Sequence, residues 1–223
     1  MHDVCVALQQ KMAELVTTKE GSVLQNAKPE NLHFAKGFIT LKTDASKRVA
    51  YADVLKQTNL SVLEVTKDSH AGDERNKYSI YSFAVHFVQV QVHRSTGVVR
   101  IKKVVTVADA GKIINTKTAG SQLMGGVVSG IGMALMEDAV LDHRFGRYVN
   151  NNLADYHVPV NADVPPIEAL FIDKPDPFIN PMGSKGLGEI ANVGFAAAVA
   201  NAVYHATGKR IRALPITPDT LLV

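Results

Sequence analysis

The clearest local pattern in the chain is the pair FAVHFVQVQVHR (residues 83–94) and VVRIKKVVTVA (residues 98–108), joined by Ser95-Thr96-Gly97. From position 88 onward, every second residue of the first segment is valine, with glutamine or histidine between the valines. Such alternation is typical of a strand with one apolar face, and the short polar turn predicts a long antiparallel hairpin. The alternation slips at Lys102 and Lys103, which predicts a β-bulge.

A glycine-rich helix is predicted after the hairpin, over about residues 119–138. Each glycine in a helix interior costs up to about 1 kcal/mol relative to alanine. Close packing of the helix against the sheet is the ordinary compensation, and close approach of its backbone to a ligand is the alternative. The glycines concerned are Gly120, Gly125, Gly126, Gly130 and Gly132.

The remaining segments complete the pattern of an α+β fold. Helices are predicted over residues 4–16, 48–58 and 190–207, and the last of them is expected to end at Gly208. A strand or hairpin is predicted over 34–41, a strand over 169–172, and an extended tail that docks on the domain over 212–223. The polar stretch 67–77 is the best candidate boundary. We expect mixed and antiparallel sheets packed against helices in a two-layer, sandwich-like arrangement.

The composition disfavours several kinds of partner. The 223 residues are 46% hydrophobic, and 24 Lys and Arg nearly balance 21 Asp and Glu, so neither a nucleic-acid nor a membrane partner is expected. The longest uncharged run, residues 118–136, has too short an apolar part to span a bilayer. No signal peptide is recognisable, which favours a cytoplasmic location unless export depends on sequence outside this chain. The single Cys5 cannot hold an iron–sulfur cluster, which needs about four thiolates.

The segment with the most chemical information is PMGSKGLGEIA (residues 181–191), a glycine-rich loop predicted to open directly into the last helix. Converging backbone amides at a helix N-terminus can hold an anionic or polar group. The loop matches neither GxxxxGK[ST] nor GxGxxG, so a nucleotide-phosphate site is disfavoured. Glu189 is predicted to lie in the first helical turn, where an acid stabilises the helix dipole without any chemical role. A role in chemistry is the alternative.

Several motifs, in order along the chain, resemble the molybdenum hydroxylases of the xanthine dehydrogenase and aldehyde oxidase group. The resemblance extends from about Tyr78 to Leu222, and the ordered set is far more specific than any one motif. The motifs are HFVQVQVHRSTGVVRI (86–101), DAGKIIN (109–115), QLMGGVVSGIGMALMED (122–138), DYHVP (155–159), GSKGLGE (183–189) and NAVYHATGKRIRALPITPDTLL (201–222).

The resemblance implies a function and a set of site residues. Glu189 matches the family's general base, in the hydroxylation of an aldehyde or an electron-poor N-heterocycle with oxygen derived from water. Contacts with the molybdopterin cofactor, chiefly through backbone groups, are implied for Lys185, Gly186, Leu187 and Gly188. Gln122 matches a glutamine that binds the pterin, with a capping or surface amide as the alternative. His86 and His157 are interpreted as structural residues, because in this family the metal is held by the pterin dithiolene and not by the protein.

The resemblance also implies an incomplete catalytic unit. Residues 1–77 are expected to be the C-terminal remnant of the preceding molybdopterin-binding subdomain, and residues 78–223 the C-terminal subdomain with the glutamate loop. Family subunits are several times longer, so the helix that begins abruptly at Met1 favours a cut or a split gene, and the isolated fragment is expected to be inactive. The expected cofactor is molybdenum-molybdopterin, including its cytosine dinucleotide form.

The expected partners are the remainder of the subunit, an iron–sulfur subunit or domain, an FAD subunit or domain, and a small-molecule substrate. Iron–sulfur clusters and FAD would be carried only by those partners. The alternative function is a non-catalytic binding or assembly module that uses the same glycine-rich loop to pack on a partner.

Overall fold

The computed structural model describes residues 1–70 and 72–222. The chain forms two compact units, Met1–Gly72 and Asp73–Val223, and the division falls within the polar stretch 67–77. None of the helices in these described ranges combines the length and the apolar character needed to cross a membrane.

The first unit packs helices against a small antiparallel sheet. Its elements are helix α1 (His2–Thr18), a 3-10 turn (Pro29–Asn31), strands β1 (Leu32–Ala35), β2 (Phe38–Leu41) and β3 (Asp44–Ala50), and helix α2 (Tyr51–Gln57). The three strands lie in the order β1-β2-β3. Val16 of α1, Ile39 of β2 and Val54 of α2 are fully buried and form the centre of the core.

The prediction of a helix over residues 48–58 is wrong at its N-terminal end. Residues 48–50 belong to β3, where Val49 pairs with Ile39 and Arg48 pairs with Thr40. The helix begins only at Tyr51, because Ala50 has an extended backbone conformation. Pairing with a neighbouring strand outweighs the local helical pattern here, as tertiary context often does.

The second unit is built on a three-stranded mixed sheet. A short helix α3 (Glu74–Lys77) precedes strands β4 (Phe83–Val92) and β5 (Val99–Asp109). These two strands form the predicted antiparallel hairpin. The register shifts so that Gln89 is opposite Lys103 and Val90 is opposite Ile101, which leaves Lys102 as the extra residue. The predicted bulge is therefore confirmed.

Two helices cover one face of this sheet. Helix α4 (Thr116–Leu135) is followed by the two short strands β6 (Leu141–Asp142) and β7 (Arg147–Tyr148), which pair with each other. Strand β8 (Ile167–Phe171) then pairs in parallel with β5. Helix α5 (Phe195–Thr207) packs on α4 and β4, and the resulting core includes Leu123, Val127, Phe195 and Val199, all fully buried. The expected two-layer α+β arrangement is confirmed.

Helix α4 begins and ends three residues earlier than predicted. The side chain of Asn115 accepts hydrogen bonds from the backbone N–H groups of Lys117 and Thr118, at 3.0 and 3.1 Å, and caps the helix. Two of its glycines allow close packing: a Cβ on Gly126 would lie 2.9 Å from the Cβ of Ala191, and one on Gly130 would lie 2.7 Å from the Phe195 ring. At Gly125 no atom lies within 4 Å of such a Cβ.

The last helix is shorter than predicted, and this changes the setting of Glu189. Residues 190–194 form turns rather than a helix, and α5 begins at Phe195 after Gly194, which has φ +80°. Glu189 therefore lies outside the first helical turn, so stabilisation of the helix dipole does not explain it. The helix ends as predicted at Gly208, with φ +74°.

The C-terminal tail docks on the second unit. The Ile216 N–H donates to the Ala134 carbonyl at 2.8 Å, and Ile216 and Leu221 are buried in the core. The tail was predicted to be extended throughout. This is wrong for Pro218–Leu221, which forms a single helical turn, α6.

Candidate active-site loop

The glycine-rich loop is held in place by the loop that follows β5. Gly111 and Ser184 form an isolated antiparallel bridge. Beside it, the Lys112 N–H donates to the Gly183 carbonyl at 2.7 Å and the Lys185 N–H donates to the Ala110 carbonyl at 2.8 Å. Gly111 has φ +66°, and a Cβ at this position would collide with the Gly183 carbonyl. The DAGKIIN and GSKGLGE motifs, distant in sequence, therefore form one structure.

An ion pair fixes the same contact. The Lys185 ammonium lies 3.2 Å from Oδ1 of Asp109 and 3.9 Å from Oδ2 of Asp176, and the lysine side chain is only 9% exposed. A hydrogen bond from the Gly111 N–H, followed by the nearby Lys185 ammonium, lowers the pKa of the Asp109 carboxyl. Both the ammonium and the backbone N–H of Lys185 are thus engaged within the protein, which leaves its carbonyl for a ligand.

The two glycines that follow Lys185 in the loop, Gly186 and Gly188, are exposed. The Gly186 carbonyl accepts a hydrogen bond from Ser82 Oγ at 2.5 Å, while no atom lies within 4 Å of where a Gly186 Cβ would be. Leu187 packs its side chain against the core. Gly188 is exposed, and a Cβ on it would lie 3.7 Å from Oε1 of Gln122. Gln122 and the end of the loop are therefore neighbours.

Gln122 does not cap α4, because Asn115 performs that function. Its side chain is on the exposed face of the helix and faces the loop. An amide in this position can both donate and accept hydrogen bonds.

Glu189 ends the loop with an exposed carboxylate. It makes no side-chain hydrogen bond or ion pair with residues 1–70 or 72–222. Its carbonyl accepts from the Asn192 N–H at 3.0 Å, and the Ile190 N–H donates to the Leu187 carbonyl at 3.1 Å. Two successive turns thus hold the backbone of Glu189 and leave its carboxylate accessible as a proton acceptor.

Two contacts near Glu189 were not predicted. Nε2 of His86 lies 3.1 Å from the Val193 carbonyl, and Nδ1 lies 2.8 Å from the hydroxyl of Thr106, which is fully buried. Burial lowers the pKa of His86. The strand alternation contained a signal for this placement, because His86 has the same parity as the valines that face the core.

The residues present suit a polar, hydrogen-bonding cofactor. Two buried polar atoms close to the loop, Oγ of Ser184 and Oδ1 of Asn192, have no hydrogen-bond partner among the described residues. The Gln122 amide beside Gly188 adds a further donor and acceptor, and the space beside Gly186 is open. Within the described ranges, no group of three or more His, Cys, Asp and Glu side chains could hold a metal ion. The donor set fits the pterin part of a molybdenum cofactor.

Comparisons with known proteins identify the family. A family model described as a molybdopterin cofactor-binding domain matches residues 1–165, which include the hairpin and α4 and end before the glycine-rich loop. The aldehyde oxidoreductase molybdenum-binding subunit PaoC of Escherichia coli (strain K12) is 44% identical over 194 residues, which cover 87% of this chain and 26% of that protein. The xanthine dehydrogenase molybdenum-binding subunit of Escherichia coli O157:H7 is 39% identical over 140 residues, covering 63% of this chain and 18% of that protein.

The fold agrees with a solved structure. Quinoline 2-oxidoreductase from Pseudomonas putida 86 superposes with a TM-score of 0.77 at 23% identity, covering 97% of this chain and 28% of that protein. The chain thus spans about a quarter of the length of these curated relatives of the aldehyde oxidoreductase type. Matched along most of its length by the family model, it belongs to the molybdopterin cofactor-binding domain family and resembles the molybdenum-binding subunits of aldehyde oxidoreductases and xanthine dehydrogenases.

Proposed function

We propose that this chain supplies the general base and part of the cofactor-binding surface of a molybdenum hydroxylase. The reaction would oxidise an aldehyde or an N-heterocycle with oxygen derived from water. One observation carries the proposal: the carboxylate of Glu189 is exposed, without a partner among the described residues, at the end of a loop whose backbone is fixed on both sides.

Each part of the loop has a distinct task in this proposal. The Gln122 amide, the Gly186 N–H, the backbone of Gly188 and the Lys185 carbonyl would hydrogen-bond the pterin. The backbone of Leu187 lies between them, and its side chain anchors the loop in the core. When bound, the molybdenum cofactor supplies Lewis acidity and accepts the two electrons of the substrate. Glu189 would take the proton from the attacking hydroxyl, and a carboxylate would suffice as the base for a hydroxyl acidified by a Lewis acid.

The names of the relatives support this class of reaction. The relatives include an aldehyde oxidoreductase and a xanthine dehydrogenase molybdenum-binding subunit, so an aldehyde and an N-heterocycle are both substrate classes of the proposal. The cofactor would be molybdopterin or its cytosine dinucleotide form. The chain has one cysteine, Cys5, and cannot ligate an iron–sulfur cluster by itself. Electrons would therefore pass to iron–sulfur clusters, and to FAD, on partner subunits or domains.

The outer face of the hairpin supports docking to the remainder of the subunit. Phe83, Val85 and Phe87 on β4 are 63%, 55% and 63% exposed, and Leu170 on β8 is 43% exposed. The hairpin therefore has a second face that is apolar at one end, in contrast to the single apolar face predicted from the sequence. A contiguous apolar patch of this kind usually marks an interaction surface.

Replacing Glu189 by Gln in the complete, cofactor-loaded enzyme tests the proposal. Loss of a general base predicts a fall in turnover of about 10²- to 10⁴-fold with unchanged molybdenum content. Glu20→Gln, at an exposed glutamate in the other unit, is the matched control and should behave as wild type. Near wild-type turnover of Glu189→Gln would defeat the assignment. Absence of molybdenum from the assembled wild-type protein would favour a non-catalytic assembly module.

A further inference from the structure

The side chain of His86 ties the central hairpin to the turn that follows Glu189. His86 is on β4, on the face covered by α5, and its ring is edge-on to Phe195 with the centroids 5.5 Å apart. Its two nitrogens contact different elements: Nε2 lies 3.1 Å from the Val193 carbonyl and Nδ1 lies 2.8 Å from the Thr106 hydroxyl on β5. The ring therefore joins two strands and one turn.

The chemistry of the partners assigns the tautomer. A carbonyl can only accept a hydrogen bond, so Nε2 of His86 carries the hydrogen that is donated to Val193. In the neutral ring Nδ1 is then an acceptor, and the buried Thr106 hydroxyl donates to it. This neutral form satisfies both ring nitrogens. The other residues around the ring on β4, in the turn at 193–194 and on α5 are Ala, Val, Phe, Gly or Asn, so no acid faces the ring to stabilise a charge.

The His86 contact is on the C-terminal side of Glu189. On its N-terminal side the glycine-rich loop is fixed by the Gly111–Ser184 bridge and by Lys185. After Glu189, the backbone is held by the hydrogen bond from the Asn192 N–H to the Glu189 carbonyl at 3.0 Å and a longer one of 3.4 Å from Phe195 to Asn192. Gly194, with φ +80°, ends this segment immediately before α5. Among the described residues, His86 makes the side-chain hydrogen bond to the backbone of this segment.

We propose that His86 is a positioning residue: as a neutral donor to the Val193 carbonyl, it fixes the turn at 189–194 and thereby the Glu189 carboxylate relative to Gln122 and Gly188. The effect on catalysis rests on the proposed function of Glu189, whereas the effect on the turn does not. His86 itself touches no reacting atom in this proposal.

Two substitutions of His86 separate its two contacts. The amide nitrogen of Gln reaches as far as Nε2 of histidine, so His86→Gln retains a donor for Val193. The shorter His86→Asn reaches only the position of Nδ1 and loses that donor. The pair is compared in the complete, cofactor-loaded enzyme by hydrogen exchange of the amides at 190–194 and by steady-state kinetics, with molybdenum content as the check on folding.

His86→Asn should increase exchange at 190–194 about fivefold through loss of one hydrogen bond. It should lower kcat on the order of 10- to 100-fold with little change in KM, because the base is misplaced. His86→Gln should restore both quantities to within about threefold of wild type. Wild-type exchange and wild-type kcat in His86→Asn, or equal losses in the two variants, would overturn the proposal.

The outcomes also distinguish this proposal from the proposed function. If Glu189 is not the base, Glu189→Gln stays active while His86→Asn still exchanges faster at 190–194. If His86 is not a positioning residue, Glu189→Gln is inactive while His86→Asn resembles wild type. Should His86→Asn fail to take up cofactor, Thr106→Val removes the donor to Nδ1 and permits the other tautomer. Faster exchange at 190–194 then supports the proposal, and unchanged exchange overturns it.

Discussion

The Lys185 ammonium lies 3.2 Å from the Asp109 carboxylate and joins the glycine-rich loop to the end of β5. The lysine side chain is almost completely buried, so its charge depends on Asp109 and Asp176 for compensation. Replacing the lysine by Met would retain most of its apolar stem and leave both carboxylates without their cation.

We therefore expect Lys185→Met to loosen the loop. Hydrogen exchange at the amides of 183–188, measured in the complete protein, should become about tenfold faster, since losing a charged hydrogen-bond partner costs about 1.5–3 kcal/mol and partial exposure of Asp109 reduces that value. Lys185→Arg keeps the charge and should show a smaller change. Unchanged exchange in Lys185→Met would mean that the backbone bridge alone holds the loop.

Gln122 should matter for cofactor retention and not for folding. The side chain is exposed and does not cap α4, and alanine is the better helix former, so Gln122→Ala should leave the helix intact. We expect its molybdenum content to fall severalfold, because a pterin hydrogen-bonding group is removed. The exposed neighbour Ser121→Ala is the control. Full molybdenum content in Gln122→Ala would show that this amide does not hold the cofactor.

The apolar outer end of the hairpin should be required for assembly. Phe87 and Gln91 are exposed on the same face of β4, Phe87 at the apolar end and Gln91 at the polar end. Phe87→Ser should lower the yield of assembled complex on size-exclusion chromatography, since it removes apolar area that a partner would bury. Gln91→Ser should not lower it. Equal yields for the two variants would argue against docking at the apolar end.

The turn at 189–194 should loosen in mild acid. In the closed turn, burial lowers the pKa of His86 below its ordinary value of 6.5, whereas in an opened turn the exposed ring has the ordinary value. At a pH between these two values, His86 is therefore protonated more readily in the opened turn than in the closed one. Stability that His86 contributes is therefore complete above pH 6.5 and decreases as the pH falls toward the lower pKa of the closed form. The ratio of the exchange rates at 190–194 in wild type and in His86→Gln, measured at the same pH, should therefore increase as the pH is lowered from about 8 to about 5.5. A constant ratio would contradict this prediction.

The sequence predicted those elements whose local pattern agrees with their tertiary contacts. The alternation in 83–108 predicted the hairpin and even the bulge at Lys102, since the same valines that alternate also face the core. It did not predict β3, because Arg48-Val49-Ala50 continues a helical pattern locally and becomes a strand only through pairing with β2. The start of α5 was missed for a related reason: Gly194 adopts a positive φ that ends the turns, and a single glycine in the largely apolar run 190–203 does not by itself show which backbone conformation it adopts.

The candidate site divides in the same way. The resemblance indicated Gln122, Glu189 and the loop between Lys185 and Gly188, and the structure brings Gln122 beside Gly188. The burial of the Lys185 ammonium against Asp109, and the contact of His86 with Val193, depend on distances between segments that are far apart in sequence. No periodicity or motif contains such distances.

The general-base role of Glu189 is tested most directly by single-turnover oxidation of substrate by Glu189→Gln enzyme whose molybdenum content equals that of wild type. Loss of the proton acceptor predicts a rate of substrate oxidation lower by about 10²- to 10⁴-fold, with substrate affinity changed by less than about threefold. A single-turnover rate within about threefold of wild type would contradict the assignment of Glu189 as the base.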